Sequence, residues 1–378
     1  MLAAAPALAQ QPLRIGLLMP YTGQFADGAA QMDNAIKLYV KQHGDTVAGR
    51  RIEFIRRDDG AAPDVSKRLA REFVVNDNVD IMAGFVFTPE ALAAADVATE
   101  AKKLTVVMNA ATAIITTKSP YIVRSSFTLP QLNEPFGTWA AKSGIRKVYT
   151  LVSDYAPGHD AETAFQRGFK EAGGEIVGAL RIPLANPDFS AFVQRIKDAD
   201  PEGIYIFVPG GAQPAALAKA LVERGMDTSR IKILGQGEIT EENAIRGMGD
   251  AALGVVTAFH YDHTHASKLN KDYVAAFNAD YKRNPDFFAA GGYDGMHLIY
   301  EALKKTGGKT DAEALIGAAK GMKWDSPRGP VMIDPETRDI VQNIYIRKVE
   351  KKNGELYNVE FATFEAVKDP VKAVKKTN

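Results

Sequence analysis

Leu13-Arg-Ile-Gly-Leu-Leu-Met-Pro-Tyr-Thr-Gly23, followed after four intervening residues by Gly28-Ala-Ala30, decides how the rest of this chain reads. Residues 13–19 are an apolar run of strand length with one charge, Arg14, near its start. A strand with so little polar alternation is buried on both faces, as in a parallel sheet covered by helices. Pro20 and Gly23 end it in a loop. From Met32 the apolar residues take helical spacing, with Ile36, Tyr39 and Val40 on one stripe. Strand, loop, helix is the opening unit of a doubly wound sheet, which binds ligands in the crevice beyond its strand ends. Tyr21, Thr22 and Gly23 are therefore expected near a ligand.

Outward from this unit the same grammar recurs. Residues 51–57, 79–85 and 104–108 read as further strands, 64–76 and the Ala-rich 89–102 as helices, and 121–124 as a short extended piece. Strand starts near 13, 51, 79 and 104 are echoed near 147, 175, 203 and 231, with Gly210-Gly211 closing the third of the second set. The halves share order and spacing but no sequence identity, which implies two similar α/β lobes. A further strand, 254–261, precedes three helical stretches at 269–283, 289–305 and 311–321. Three helices make a thin domain, so they are expected to pack back onto an existing lobe. If that lobe is the first, the chain crosses between lobes more than once and builds a hinge.

The 378 residues suit two domains rather than one core. Basic and acidic residues balance at 46 each, which argues against a nucleic-acid surface. No apolar run approaches the roughly 20 residues of a membrane span. Met1 to Gln10 reads as the tail of a secretory signal, with Ala7-Leu8-Ala9 as its cleavage site. Cysteine is absent, which excludes disulfides, thiol chemistry and a lipid-modified Cys anchor. The expectation is a freely soluble exported protein.

Catalytic motifs find little support. Gly308-Lys309-Thr310 resembles the end of a phosphate loop, but Leu303 stands where its first glycine belongs. No G-x-S-x-G is present. Asp58-Asp59 and Glu241-Glu242 are explained by a turn and a helix start. Three imidazoles at His260, His263 and His265 make the best metal candidate. They sit at a strand end, where solvated polar residues are the simpler reading. No cofactor is expected.

Taken together, Ile15 to Gly23, Gly84-Phe-Val-Phe-Thr88, Ala110-Ala-Thr112, Asp154-Tyr-Ala-Pro-Gly158, Gly235-Gln-Gly-Glu238 and Tyr293-Asp-Gly295 carry a resemblance. In this order the chain resembles the periplasmic solute-binding proteins of ABC transporters, specifically the branched-chain amino-acid (Leu/Ile/Val) type, over nearly all of residues 12–365. The resemblance implies an α/β fold of two doubly wound Rossmann-like lobes joined by a three-crossover hinge. It divides the chain into a signal remnant at 1–11, a first lobe at 12–128 and 258–338, a second lobe at 129–257 and 339–368, and a tail at 369–378. It also implies a periplasmic location, a small-molecule carboxylate ligand, a membrane permease as partner and a monomeric state.

Carried over by resemblance, Thr88 and Thr112 hold a carboxylate and Ala110 supplies a carbonyl beside them. Both threonines could instead be simple N-caps. The chain also departs from the family pattern. The acidic residue that meets an amino acid's ammonium falls here on Gly237, with Glu238 one later, and Pro157 replaces a tyrosine next to Tyr155. Phe85 and Phe87 flank Thr88. An anion site kept, an ammonium site weakened and aromatic surface added favour an aromatic acid over an amino acid. The expected ligand-binding set is Tyr21, Phe85, Phe87, Thr88, Ala110, Thr112, Tyr155, Gly210, Gln236, Glu238 and Tyr293. A branched-chain amino acid held by Glu238 is the alternative ligand.

Overall fold

β1 (Leu13–Met19) lies inside the first sheet with every residue but Arg14 buried, as its apolar run requires. The computed structural model describes residues 11–373 other than 24, 186 and 227, so all of the expected signal remnant except Gln11 lies outside the described residues. The first lobe continues through α1 (Ala26–His43), β2 (Thr46–Val47), β3 (Arg50–Asp58), α2 (Pro63–Val75), β4 (Ile81–Gly84), α3 (Thr88–Glu100), β5 (Leu104–Val107) and β6 (Ile122–Arg124). Its sheet runs β2-β3-β1-β4-β5-β6, parallel except for short β2. β3 and β4 flank β1, so the loops leaving β1 and β4 part on opposite faces and open a crevice at their carboxyl ends.

The second lobe follows as α4 (Leu129–Lys142), β7 (Lys147–Ser153), α5 (Ala156–Glu171), β8 (Glu175–Ile182), α6 (Phe189–Asp198), β9 (Gly203–Phe207), α7 (Gln213–Glu223), β10 (Lys232–Gln236), α8 (Glu242–Met248) and β11 (Val256–Phe259). Its order β8-β7-β9-β10-β11 repeats β3-β1-β4-β5-β6. Residues 260–267 then cross back to the first lobe, where α9 (Lys268–Tyr281), α10 (Phe287–Thr306) and α11 (Ala312–Ala319) pack. Leu298, Ile299 and Leu303 of α10 share one core with Ile15 and Leu17. β12 (Lys323–Ser326) and β13 (Gly329–Ile333) lead to the long antiparallel pair β14 (Ile340–Lys352) and β15 (Glu355–Val367), and α12 (Pro370–Ala373) follows.

β14 belongs to both lobes: Ile340 lies in the first core, Ile344 and Ile346 in the second. Residues 258 and 259, expected in the first lobe, pair with β14 in the second sheet, so this crossover starts at His260. Helix α4 has no counterpart in the sequence reading, although Thr128 and Gln131 form a full capping box at its start. Pro135 inside the helix masks the periodicity.

Three crossings, at 125–128, 260–267 and 334–339, join the lobes and are tied by buried polar contacts. Arg328 donates to the Ser125 and Ser126 carbonyls and pairs with Asp294 at 2.7 Å. Gln342 Nε2 donates to Ser126 at 2.9 Å. Gln131 Nε2 donates to Ile340 at 2.8 Å. No helix among the described residues is long and apolar enough to cross a membrane.

Candidate functional site

The first-lobe wall is built where β4 and β5 end. Gly84 has φ +104°, and a Cβ there would meet the Leu18 carbonyl at 2.7 Å, so glycine is required for the chain to turn. Phe85 follows at φ +62°, a costly conformation for a bulky residue. Its amide donates to Leu18 and its carbonyl accepts from Ala110, at 2.9 and 3.0 Å, which ties the two loops together. This turn delivers Thr88 to the first position of α3.

The N-cap of α3 is Phe87, without a side-chain cap bond, and Thr112 likewise makes none at the short 3₁₀ turn that follows it. The two hydroxyls instead bond each other at 2.8 Å, both residues being buried. Capping therefore does not account for either threonine. Two hydroxyls beside an uncapped helix start form a site suited to an anion.

Glu90, in the same first turn, is 2% exposed and one of its carboxyl oxygens has no hydrogen-bond partner. Burial lifts its pKa to about 7, with Asp59 adding to the effect and its own N–H opposing it.

The second lobe faces this wall with Tyr155, the N-cap of α5, and with Glu238 in the 3₁₀ turn after β10. Gln236 Oε1 accepts from the Glu238 amide at 2.9 Å, and the Gly210 amide donates to the Glu238 carboxylate at 3.3 Å. Burial still raises Glu238 to about 7. The Tyr155 hydroxyl is pushed well up, first by burial and then by the charges of Glu238 and Glu90. The lobes touch where the Ala113 amide donates to Asp160 Oδ2 at 2.8 Å and where Asn284 Nδ2 donates to Glu242 at 3.1 Å. Phe25, packed on Phe87 with ring centroids 4.2 Å apart, shares a depression with Pro209, Gly210 and Gln213.

Of the expected set, Thr88 and Thr112 meet at the start of α3, Phe87 packs on Phe25 beside Gly210, Gly210 and Gln236 hold Glu238, and Tyr155 stands at the start of α5. The others do not join them. Phe85 turns into the core with Leu18, Phe73 and Met82, because its left-handed backbone aims the ring beneath the sheet rather than out of it. Tyr21 leans back on the first core, where Asp33 and Arg56 are the nearest influences on its hydroxyl after burial. Tyr293 is on α10, where its hydroxyl donates to Gln42 of α1 at 2.7 Å. The Ala110 carbonyl accepts from Arg124 at 3.0 Å and so is directed at the protein.

The imidazoles diverge too. His260 is buried against Phe127, His263 lies by Asp262, and His265 bonds Glu360 at 2.9 Å. Among the described residues no group of three His, Cys, Asp or Glu is placed to hold a metal ion.

Phe25, Glu90 and Asp160 escaped the sequence reading. Glu90, an acidic residue in a first helical turn, looks like a dipole partner, and nothing local tells that it is buried.

Residues 12–355 match the model of the periplasmic binding protein family. The chain belongs to that family. A curated member, Leu/Ile/Val-binding protein homolog 6 of Brucella melitensis, is 44% identical over 372 residues, covering 97% of this chain and 95% of the relative. A solute-binding protein of an ABC transporter from Rhodopseudomonas palustris BisB5, solved with 3,4-dihydroxybenzoic acid, is 58% identical with a TM-score of 0.92, covering 96% of this chain and 99% of that one. Another, from R. palustris HaA2 and solved with p-hydroxybenzoic acid, is 41% identical with a TM-score of 0.93, covering 96% and 100%. The two lobes of this periplasmic binding protein have the type I architecture, in agreement with the fold expected from the sequence.

Gly237, the position where the resemblance places the acidic residue that meets an amino acid's ammonium, is closely packed. A Cβ there would lie 2.2 Å from the Phe259 ring, so the position cannot hold the acidic side chain that meets an ammonium. Gly237→Ala is expected to destabilise the fold by about 1–3 kcal/mol through overpacking, measured by urea unfolding. Wild-type stability in that variant would show that Phe259 yields freely.

Proposed function

We propose that this protein is the periplasmic solute-binding component of an ABC uptake transporter and captures an aromatic carboxylic acid between its lobes. The observation that carries this reading is the cleft itself. It offers a hydroxyl pair at a helix start on one side, Tyr155 and Glu238 on the other, and at Gly237 no room for an ammonium's counter-charge. The carboxylate sits at Thr88 and Thr112. The ring lies among Phe25, Phe87 and Tyr155, gaining from edge and face contacts. A ring hydroxyl reaches Glu238, already oriented by Gly210 and Gln236. The aromatic acids bound by the two R. palustris structures support the same ligand class. Delivery to a membrane permease follows from the family. We read the chain as a monomer that performs no chemistry, cleaved near Ala9, with lobes divided near 128, 260 and 339.

Calorimetric titration of ligand-free, refolded protein with benzoate, 4-hydroxybenzoate, leucine and phenylalanine tests the reading. At least one aromatic acid is expected to bind in the micromolar range or tighter, and leucine at least about tenfold more weakly, a gap of about 1.4 kcal/mol. Tight leucine binding without an aromatic-acid signal restores the branched-chain amino-acid binder, with Glu238 as the ammonium's partner.

A further inference from the structure

We propose that Arg347, a fully buried residue outside the ligand set expected from the sequence, is a positioning residue that sets a preference for ring-hydroxylated aromatic acids by clamping the peptide unit that presents Glu238. This rests on the aromatic-acid reading above and assigns recognition of the ring hydroxyl to a turn that is held in place before the ligand arrives.

Arg347 lies in β14, and its side chain is 0% exposed. A guanidinium carries five N–H donors in a fixed planar fork, and here each has an acceptor. Nε donates to Thr257 Oγ1 at 3.2 Å. Nη1 donates to the Tyr261 carbonyl at 3.0 Å and to Asp262 Oδ2 at 2.9 Å. Nη2 donates to the Gly237 carbonyl at 3.0 Å and to Thr240 Oγ1 at 3.1 Å. The guanidinium carbon lies 5.0 Å from the centroid of the Phe259 ring, the same ring that fills the space beside Gly237. Asn358 Nδ2 closes the network by donating to Asp262 Oδ2 at 2.8 Å and to the Thr240 carbonyl at 2.7 Å.

Two of the five acceptors, Gly237 and Thr240, belong to the short turn after β10 that carries Glu238. The Gly237 carbonyl and the Glu238 N–H are opposite ends of one planar peptide unit. Arg347 holds the carbonyl, and Gln236 Oε1 accepts from the N–H at 2.9 Å. With both ends tied, the unit cannot rotate, and the direction in which the Glu238 side chain leaves the backbone is fixed. The Glu238 carboxylate then accepts from the Gly210 amide at 3.3 Å. Gly210 shares a depression with Phe25, which packs on Phe87 beside Thr88. A chain of bonds and contacts thus runs from a buried arginine to the ring end of the proposed ligand.

The consequence is selective. A carboxylate that must be ordered on binding loses affinity to the ordering, and one already fixed does not. A site built to bond a substrate hydroxyl also discriminates against the analogue that lacks it, because its buried polar group is then left unpaired. Only an acid with a ring hydroxyl uses Glu238, so only that acid feels the clamp. Lysine cannot replace the fork. Its single ammonium can answer the charge of Asp262 but cannot span the carboxylate and the Gly237 carbonyl in one plane.

The test is calorimetric titration of the full, ligand-free chain with 4-hydroxybenzoate and with benzoate. Wild type is expected to bind 4-hydroxybenzoate at least about tenfold more tightly than benzoate. Arg347→Lys is expected to weaken 4-hydroxybenzoate at least about tenfold and benzoate less than about threefold, so that the preference collapses. In a Glu238→Ala background, where the preference is already gone, Arg347→Lys is expected to add less than about a twofold loss, because a positioning residue acts through the group it positions. A merely structural role would weaken both acids alike and add its loss in either background. The double variant Arg347→Met with Asp262→Asn removes both charges, strands no buried carboxylate and is expected to lose the preference in the same way. Unfolding profiles confirm that each variant folds. If wild type binds the two acids equally, or the folded variants keep the preference, or the loss adds in full to Glu238→Ala, the inference is overturned while the aromatic-acid reading stands. If no aromatic acid binds, that reading fails and takes the inference with it.

Discussion

Replacing Arg124 by methionine is expected to destabilise the folded chain by about 3 kcal/mol and to weaken ligand binding as well. Arg124 and Asp339 are a buried ion pair, both side chains 0–1% exposed. Removing one partner of such a pair costs about 3–5 kcal/mol, because the remaining charge has no solvent. The lower end applies here, since Lys372 also pairs with Asp339 and stays in place. The guanidinium further satisfies the carbonyls of Ala110, Thr112 and Phe127, which methionine leaves without a donor. Two of these residues frame the proposed carboxylate site and the third lies in a crossover, so one substitution loosens both the site and the hinge. Denaturant unfolding measures the first effect and calorimetry with 4-hydroxybenzoate the second. A loss under about 1 kcal/mol, with affinity unchanged, would show that the loop is held by other means.

Thr88→Val and Thr112→Val are each expected to lower affinity for the aromatic acid by about one to two decades. Each removes a hydroxyl and keeps the volume. The carboxylate loses a charge-assisted bond worth roughly 1.5–3 kcal/mol. The two hydroxyls bond each other at 2.8 Å in the protein, so their effects are coupled. The double variant should therefore lose less than the sum of the singles, which a double-mutant cycle reads directly. If both single variants fold normally and bind like wild type, the carboxylate lies elsewhere in the cleft.

By itself the sequence determined the lobes and their order. β1 is buried on both faces because its run contains one charge at its edge, and the strand starts repeat because each lobe winds β3-β1-β4-β5 and β8-β7-β9-β10 alike. The positions of Thr88, Thr112, Tyr155 and Glu238 beyond strand ends were also legible, through the motifs that carry the family resemblance. What a side chain does after leaving that end was not. Phe85 and Phe87 are two residues apart, yet the left-handed backbone at Phe85 buries its ring, while Phe87 packs on Phe25 at the cleft. Tyr293 lies in a motif of the resemblance but fills the α1–α10 seam, because the lobe to which α10 returns fixes its face. Glu90 looks in the sequence like an ordinary acidic residue of a first helical turn, and Asp160 like an ordinary helical carboxylate. They gain a role only when tertiary packing buries one and the Ala113 amide reaches the other. Burial and closure are properties of chain segments brought together from far apart. No local pattern encodes them, and they set the charge, hydrogen bonding and reach of the cleft.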